Sequence, residues 1–323
     1  MSENILKMPK IDLHCHLDGS MSQDTLSELC GREVKMEDIQ VGEPCGSLAQ
    51  YLEKFDLPVS CIQTPEGLKL GAKNFLLDLQ KDRMQYVEVR FAPQLSTSQG
   101  MNCKKVMEAV LDGLDEAKAQ CGIEYGVIAC MMRHHREDVN LQMLKECREF
   151  LGEGLVAVDL AGDEAGFPTK NFYELFKTAK AMDYPFTIHA GECGDVNSIL
   201  MAAEWGAARI GHGIAMMGNP QVQEICRKKH IGIELCPVSN YQTKALKPGI
   251  CYPIREFAQN GVLVTVNTDN RTVSNTSMAG EMQFLQKNFD ISDEELLQYQ
   301  FNAIEVAFCD DSVKQKLWRA LKG

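Results

Sequence analysis

Apolar residues along this chain gather into short runs, and stretches with helical spacing separate them. Eight runs stand out: Ile11–Leu17, Tyr86–Ala92, Gly126–Met132, Leu155–Ala161, Pro185–Ala190, Arg209–Gly213, Gly232–Pro237 and Val262–Asp269. Short, near-continuous apolar runs rich in β-branched residues fit strands buried on both faces, as in parallel sheets. Between them apolar positions recur with helical period, as in Val106–Gln120 and Asn171–Met182. Strand and helix in alternation predict an α/β fold. Eight such units in a chain of this length predict a (β/α)8 TIM barrel. A doubly wound sheet would be expected to lead from its first strand into a Gly-rich phosphate turn. Here the first run leads into HCHLDGS instead.

No linker or low-complexity segment breaks the pattern, so residues 1–323 are expected to form one hydrolase-type barrel domain. The connections are unequal. Ser20 to Gln85 spans 66 residues and contains the helical candidate Leu48–Phe55. It follows a strand's C-terminal end, so residues 20–85 are expected to form a lid insertion over the C-terminal mouth, where barrel active sites are built. Beyond the eighth run, Ser292-Asp-Glu-Glu295 is a capping-box pattern that should open a helix through about Phe308. A last helix is expected over Val313–Leu321.

Composition narrows the function. Hydrophobic residues make up 45% and charged residues 24%, an ordinary globular balance. The net charge of −12 disfavours nucleic acid and a polybasic membrane contact. The opening MSENILKMPK has no apolar signal core, and no apolar run reaches the roughly 18 residues of a membrane span. Thirteen cysteines without a C-x-x-C pair read as reduced thiols, so a cytoplasmic location is expected. Oligomeric state is not encoded in any of these features.

The candidate chemistry lies where the strands should end. His14 and His16 alternate on the first strand and so share a face, which in a closed barrel is the interior. A hydrogen-bonded core pair or metal ligation would each account for them. His189 closes the fifth strand in HAGE, His212 the sixth in GHG, and Asp269 the eighth in NTD. Four of the seven histidines thus fall on one expected rim. Three imidazoles and a carboxylate match the donor set of a catalytic zinc, with His14, His16, His189 and Asp269 as the best ligand set. His212 would then stand beside the metal, free to act on its water. Glu192, three residues after His189, is either a carboxylate at a helix N-terminus or the acid/base partner of hydrolysis.

The ordered set HCHLDG, DLAGDE, HAGE, GHG, CPVSN and NTDN resembles the adenosine deaminase branch of the metal-dependent amidohydrolases, over essentially the whole chain. The resemblance implies one Zn2+ per chain and hydrolytic deamination of a purine nucleoside, adenosine or 2′-deoxyadenosine, in purine salvage. It implies that Glu192, with a raised pKa, protonates purine N1, and that His212 and Asp269 handle water and protons. His16, Asp18, Gly162 and Asn270 would contact substrate, with Asp18 at the ribose and Gly162 at N3. Leu48, Tyr51, Leu52 and Phe55 would form an apolar wall over the base. An apolar face that is simply core is the rival explanation for those four.

Two positions depart from the family pattern. Asn270 stands where many members have Asp, at the position implied to meet N7; its NH2 can donate without titrating. Ala92 stands where a small hydroxyl residue is common. The alternative zinc design with P-C-x-x-C is excluded by the cysteine spacing. A binuclear barrel would need a bridging lysine after the fourth strand, where DLAGDE has none. Arg133 and Arg271, both after strand ends, are the cations that could turn the substrate preference toward a nucleotide. His134 and His135 beside Arg133 and Arg136 read as a loop cluster.

Overall fold

The computed structural model describes residues 3–42, 45, 48–247 and 249–322. Eight parallel strands alternate with helices: β1 Lys10–His16, β2 Met84–Phe91, β3 Glu124–Met132, β4 Leu155–Ala161, β5 Thr187–Ala190, β6 Arg209–His212, β7 Gly232–Leu235 and β8 Leu263–Val266. They pair in chain order as two four-stranded sheets, β1 to β4 and β5 to β8. Two seams close the ring. Val158 bridges to Phe186, with Val158 N–H donating to Pro185 O at 3.0 Å. Cys15 bridges to Asp269, with His16 N–H donating to Asp269 O and Asp269 N–H to His14 O, both at 2.7 Å.

All eight expected strands form, with shifted ends. The largest shift is at β8, which was expected to reach Asp269 and stops at Val266. Thr268 turns its hydroxyl to Asp12 Oδ2 at 2.5 Å, and Asp269 takes a left-handed φ of 57°. The chain thereby leaves the β7 ladder and crosses to β1.

Helices surround the ring. Cys103–Cys121 is capped by Asn102, whose side chain accepts from Lys105 N, and ends at Gly122 in the left-handed region. Pro65–Asp78 packs against it so closely that a Cβ on Gly113 would lie 2.2 Å from Lys69 O, so glycine is required there. The helix expected over Asn171–Met182 opens as a 3-10 turn, Thr169–Phe172, and continues as Tyr173–Ala181. The capping box at Ser292 and Glu295 forms as expected, although its helix ends at Val306.

Within the Ser20–Gln85 connection, helices Gln23–Cys30 and Met36–Ile39 come first. Leu48–Leu52 then tightens into a 3-10 turn, Glu53–Phe55, before Asp56–Cys61. The side chain of Leu48 lies outside the described residues. Among the described residues no helix is long and apolar enough to cross a membrane. None of the thirteen cysteines, all among the described residues, is in a disulfide.

Candidate active site

The strand ends bring His14, His16, His189 and Asp269 together. His14 Nε2 and His16 Nε2 lie 3.4 and 3.5 Å from Asp269 Oδ1, and His16 Nε2 lies 3.3 Å from His189 Nε2. One ligand atom from each residue falls within 4.8 Å of all the others. His14 Nε2 is buried without a partner. Facing lone pairs with no donor between them are costly in a buried site, and a cation resolves the conflict. Nitrogen and carboxylate donors of this kind suit zinc. A second group, His212, Cys236 and Asp269, shares the carboxylate. Burial pushes the Cys236 thiol well up, aided by the nearby Asp269, and its Sγ donates to Glu234 O at 3.6 Å. The four-residue set therefore fits a metal better.

Buried partners orient three of these four side chains. His14 Nδ1 bonds Glu234 Oε2 at 2.8 Å, and His189 Nδ1 lies 2.7 Å from Asp159 Oδ2, so both rings turn Nε2 to the common centre. Ser239 donates to Asp269 Oδ2 at 2.6 Å, leaving Oδ1 for the centre. Arg90 ties the two orienting carboxylates together, 2.9 Å from Asp159 and 2.9 Å from Glu234. Arg209 joins Glu234 to Glu88. Burial opposes charge on Asp159, but His189 and Arg90 hold its carboxyl well below the usual range.

Glu192 sits on the turn after β5. The Glu164 carboxylate accepts from the backbone N–H groups of Gly191, Glu192 and Cys193 at 2.8, 3.0 and 3.1 Å, and so fixes that turn. Glu192 Oε2 is 3.7 Å from His212 Nε2. His212 itself has φ 63°, a strained setting that aims the ring from the end of β6. Tyr252 donates to Asn240 Oδ1 at 2.8 Å, so Asn240 Nδ2 faces His212 Nδ1 at 3.0 Å as a donor. Neutral His212 then carries its proton on Nε2, the nitrogen nearer Glu192.

These groups border a cavity of about 820 Å³. His16, Asp18, Tyr51, Leu52, Phe55, Gly162, Glu192 and Asn270 all line it. Tyr51 is buried in a small cluster with Val41, Cys45 and Val273, with Phe55 packed against it, whereas Leu52 remains 39% exposed. Gly162 has φ 103°, a conformation that favours glycine. Burial pushes the Asp18 carboxyl up to about 6 against the pull of its own and Gly19's backbone N–H groups. Arg133 and Arg271 do not reach the cavity. Arg133 is buried and donates to Phe167 O, Thr169 Oγ1 and His189 O, and Arg271 pairs with Asp82 at 3.0 Å. His134 lines the cavity, edge-on to His135, away from the four-residue cluster.

Sequence reasoning missed the supporting groups: Asp159, Glu234, Arg90, Glu164, Ser239 and Asn240. The available signal was a charged residue inside an apolar strand, as in LVAVDLA, GIELCP and YVEVRFA.

An eight-stranded parallel barrel carrying three imidazoles and a carboxylate at its strand ends has the architecture and the donor set typical of metal-dependent barrel hydrolases. Residues 9–322 match the family described as adenosine deaminase, and the chain belongs to that family of hydrolytic deaminases. An adenosine deaminase of Clostridium perfringens (strain SM101 / Type A) is 36% identical over 325 residues, 97% of this chain and 98% of that protein. Among solved structures, an Arabidopsis N6-mAMP deaminase superposes with a TM-score of 0.87 at 24% identity, covering 99% of both chains. An adenine deaminase from Arthrobacter aurescens gives 0.87 at 23%, covering 98% of both. An amidohydrolase from Burkholderia ambifaria, with bound Zn, gives 0.88 at 21%, covering 99% of this chain and 92% of that one. These structures share the fold.

Proposed function

We propose that this chain deaminates adenosine and 2′-deoxyadenosine to inosine and 2′-deoxyinosine, releasing ammonia, with one zinc per chain held by His14, His16, His189 and Asp269. The observation that carries the choice of substrate is the cavity lining. Among the described residues it contains no Lys or Arg, while Asp18, Asp56, Asp163 and Glu192 border it besides Asp269. A 5′-phosphate would enter without a counter-charge and against several carboxylates. A neutral nucleoside meets no such penalty. The cavity also exceeds what a base alone needs, and Asp18 offers an acceptor for a ribose hydroxyl. The adenosine deaminases at similar length support this reading, while the N6-mAMP and adenine deaminases of the same fold define its alternatives.

The residues divide the work. C6 of a neutral purine is a poor electrophile, and protonation of N1 by the Glu192 carboxyl draws electrons from it. When bound, zinc supplies Lewis acidity that makes water nucleophilic at neutral pH. His212 directs its Nε2–H at the attacking oxygen, which orients it and stabilises its charge. As the water oxygen adds to C6, the proton it gives up passes to the Asp269 carboxylate, with the His212 N–H holding the oxygen, and from Asp269 to the amino group, while the C6 hydroxyl proton restores the Glu192 carboxyl. Ammonia then leaves, and the C6 oxygen of inosine comes from water. The apolar wall of Tyr51, Leu52 and Phe55 excludes bulk water from the base.

Ammonia release from a panel of adenosine, 2′-deoxyadenosine, adenine, AMP and N6-methyl-AMP tests this reading. The two nucleosides should exceed the others in kcat/KM by at least about 100-fold. Equal or better turnover of a monophosphate or of free adenine would overturn it.

A further inference from the structure

The wall and the residue after Asp269 are linked by one phenol. Asn270 Nδ2 donates to Tyr51 Oη at 3.0 Å. Tyr51 Oη, accepting from Asn270, keeps its single hydrogen available, and it is hydrogen-bonded to the Ser274 hydroxyl, Oη to Oγ 2.7 Å. Ser274 lies on the same turn, its N–H donating to Asn270 O at 2.8 Å. The three residues thus close a ring of hydrogen bonds. Tyr51, Asn270 and Ser274 are all nearly fully buried. The other end of the amide is shut in: Asn270 Oδ1 is buried without a partner against Gly19, where a Cβ would come within 2.0 Å of it. Only one of the two Nδ2 hydrogens is used by Tyr51. No protein acceptor takes the second among the described residues, and both Asn270 and Tyr51 border the cavity.

We propose that Tyr51 is a positioning residue for specificity: its hydroxyl, anchored on Ser274, holds the Asn270 amide with its nitrogen at the cavity, as a permanent neutral donor for an acceptor nitrogen of the purine's five-membered ring. This rests on the nucleoside reading above. It assigns Tyr51 a polar task distinct from that of an apolar wall. A carboxylate at position 270 would have to be protonated to donate, whereas the amide donates at any pH. Burial, with Asp269 nearby, holds the Tyr51 phenol well above its ordinary pKa, so the ring of hydrogen bonds keeps its proton. A substrate lacking the ring nitrogen would leave the second N–H of Asn270 without an acceptor, a larger loss than that of the bond alone.

Binding of adenosine and 7-deazaadenosine to the zinc-loaded Glu192→Gln protein, read before the slowed turnover of that variant consumes ligand, tests the proposal. The parent should bind 7-deazaadenosine about 10-fold more weakly than adenosine, the scale of one buried hydrogen bond. Adding Tyr51→Phe, which keeps the ring, should weaken adenosine about 5- to 10-fold and leave 7-deazaadenosine unchanged, collapsing the ratio. Ser274→Ala, which does not touch the cavity wall, should shift the ratio in the same direction by about 2- to 3-fold. Parallel weakening of both ligands, or an unchanged ratio in both variants, would make Tyr51 a packing residue and overturn the proposal. No preference in the parent overturns it as well. Failure of the nucleoside reading looks different: the wild-type protein would release no ammonia from adenosine, and neither ligand would bind.

Discussion

The strand-end rim and the wall from the Ser20–Gln85 connection border one cavity but are held in different ways. Four rim side chains have a buried polar partner behind them: Glu234 behind His14, Asp159 behind His189, Ser239 behind Asp269 and Asn240 behind His212. Arg90 locks two of those partners to each other. The wall has fewer ties. Gln63 pins it by donating to Val59 O and Leu95 O and accepting from Ser98, and Tyr51 reaches Ser274. Leu52 has no comparable anchor and is partly exposed. A rigid rim suits groups that must meet developing charge in fixed geometry, whereas a wall that covers an apolar base needs only surface. Changes at the rim should therefore act on metal retention and kcat, and changes at the wall on KM.

The largest effect is expected from His14→Ala combined with His16→Ala. Two of the four proposed ligands vanish, so metal analysis after gel filtration should fall from about one zinc per chain to near zero, with deaminase activity lost. Full zinc in that variant would show that the metal sits elsewhere. Next comes Glu192→Gln, which retains shape but cannot pass N1 a carboxyl proton. It should keep zinc and its thermal midpoint while kcat falls roughly 10²- to 10⁴-fold. A kcat within a few-fold of the parent would remove Glu192 as the proton donor and break the division between rim and wall.

How much of this was legible follows the same division. Strict alternation placed His14 and His16 on one face, and short strands fixed where His189 and His212 would end, so the rim could be read from spacing. The charges beneath it could not be paired that way. Arg90 and Glu234 are 144 residues apart, and Arg90 and Asp159 are 69 apart, so their contact exists only once the barrel closes. The overrun of β8 has a similar cause. VLVTVNTD keeps a strand pattern, but Asp12 of β1 captures Thr268 and redirects the chain. The His212 tautomer depends on Tyr252 and Asn240, which lie in different segments from His212. In the wall, helical spacing united Tyr51, Leu52 and Phe55, yet Tyr51 is buried and Leu52 is not.

Leu52→Ala sharpens the comparison from the other side. Removing a partly exposed side chain should cost stability by no more than about 0.5 kcal/mol. If that side chain covers bound substrate, KM for adenosine should rise about 3- to 10-fold through lost apolar burial, with kcat nearly unchanged. Steady-state kinetics with a parallel melting curve checks both. A marked drop in thermal midpoint with unaltered KM would make Leu52 part of the packing instead.

The smallest effect concerns what the rim's support costs. Glu281 is fully buried and accepts from Val238 N–H at 3.0 Å and Thr276 Oγ1 at 2.8 Å, so it braces the turn after β7 that carries Ser239 and Asn240. Burial pushes its carboxyl up to about 8, more than those two hydrogen bonds lower it, and Asp12 and Asp269 add to the rise. The unfolded chain would titrate this group near 4.5. Between those values the folded protein holds a proton that the unfolded chain releases, so stability must fall as pH rises from about 4.5 to 8. Below that window the contribution is fully present; above it, the loss is complete. Glu281→Gln keeps an acceptor oxygen and does not titrate. Relative to the parent, its thermal midpoint should be nearly unchanged at pH 5 and higher by roughly 2–6 °C at pH 8, a few degrees per kcal/mol for a chain of this size. Calorimetry at the two pH values decides the matter, and an equal difference at both would mean that Glu281 keeps one protonation state throughout.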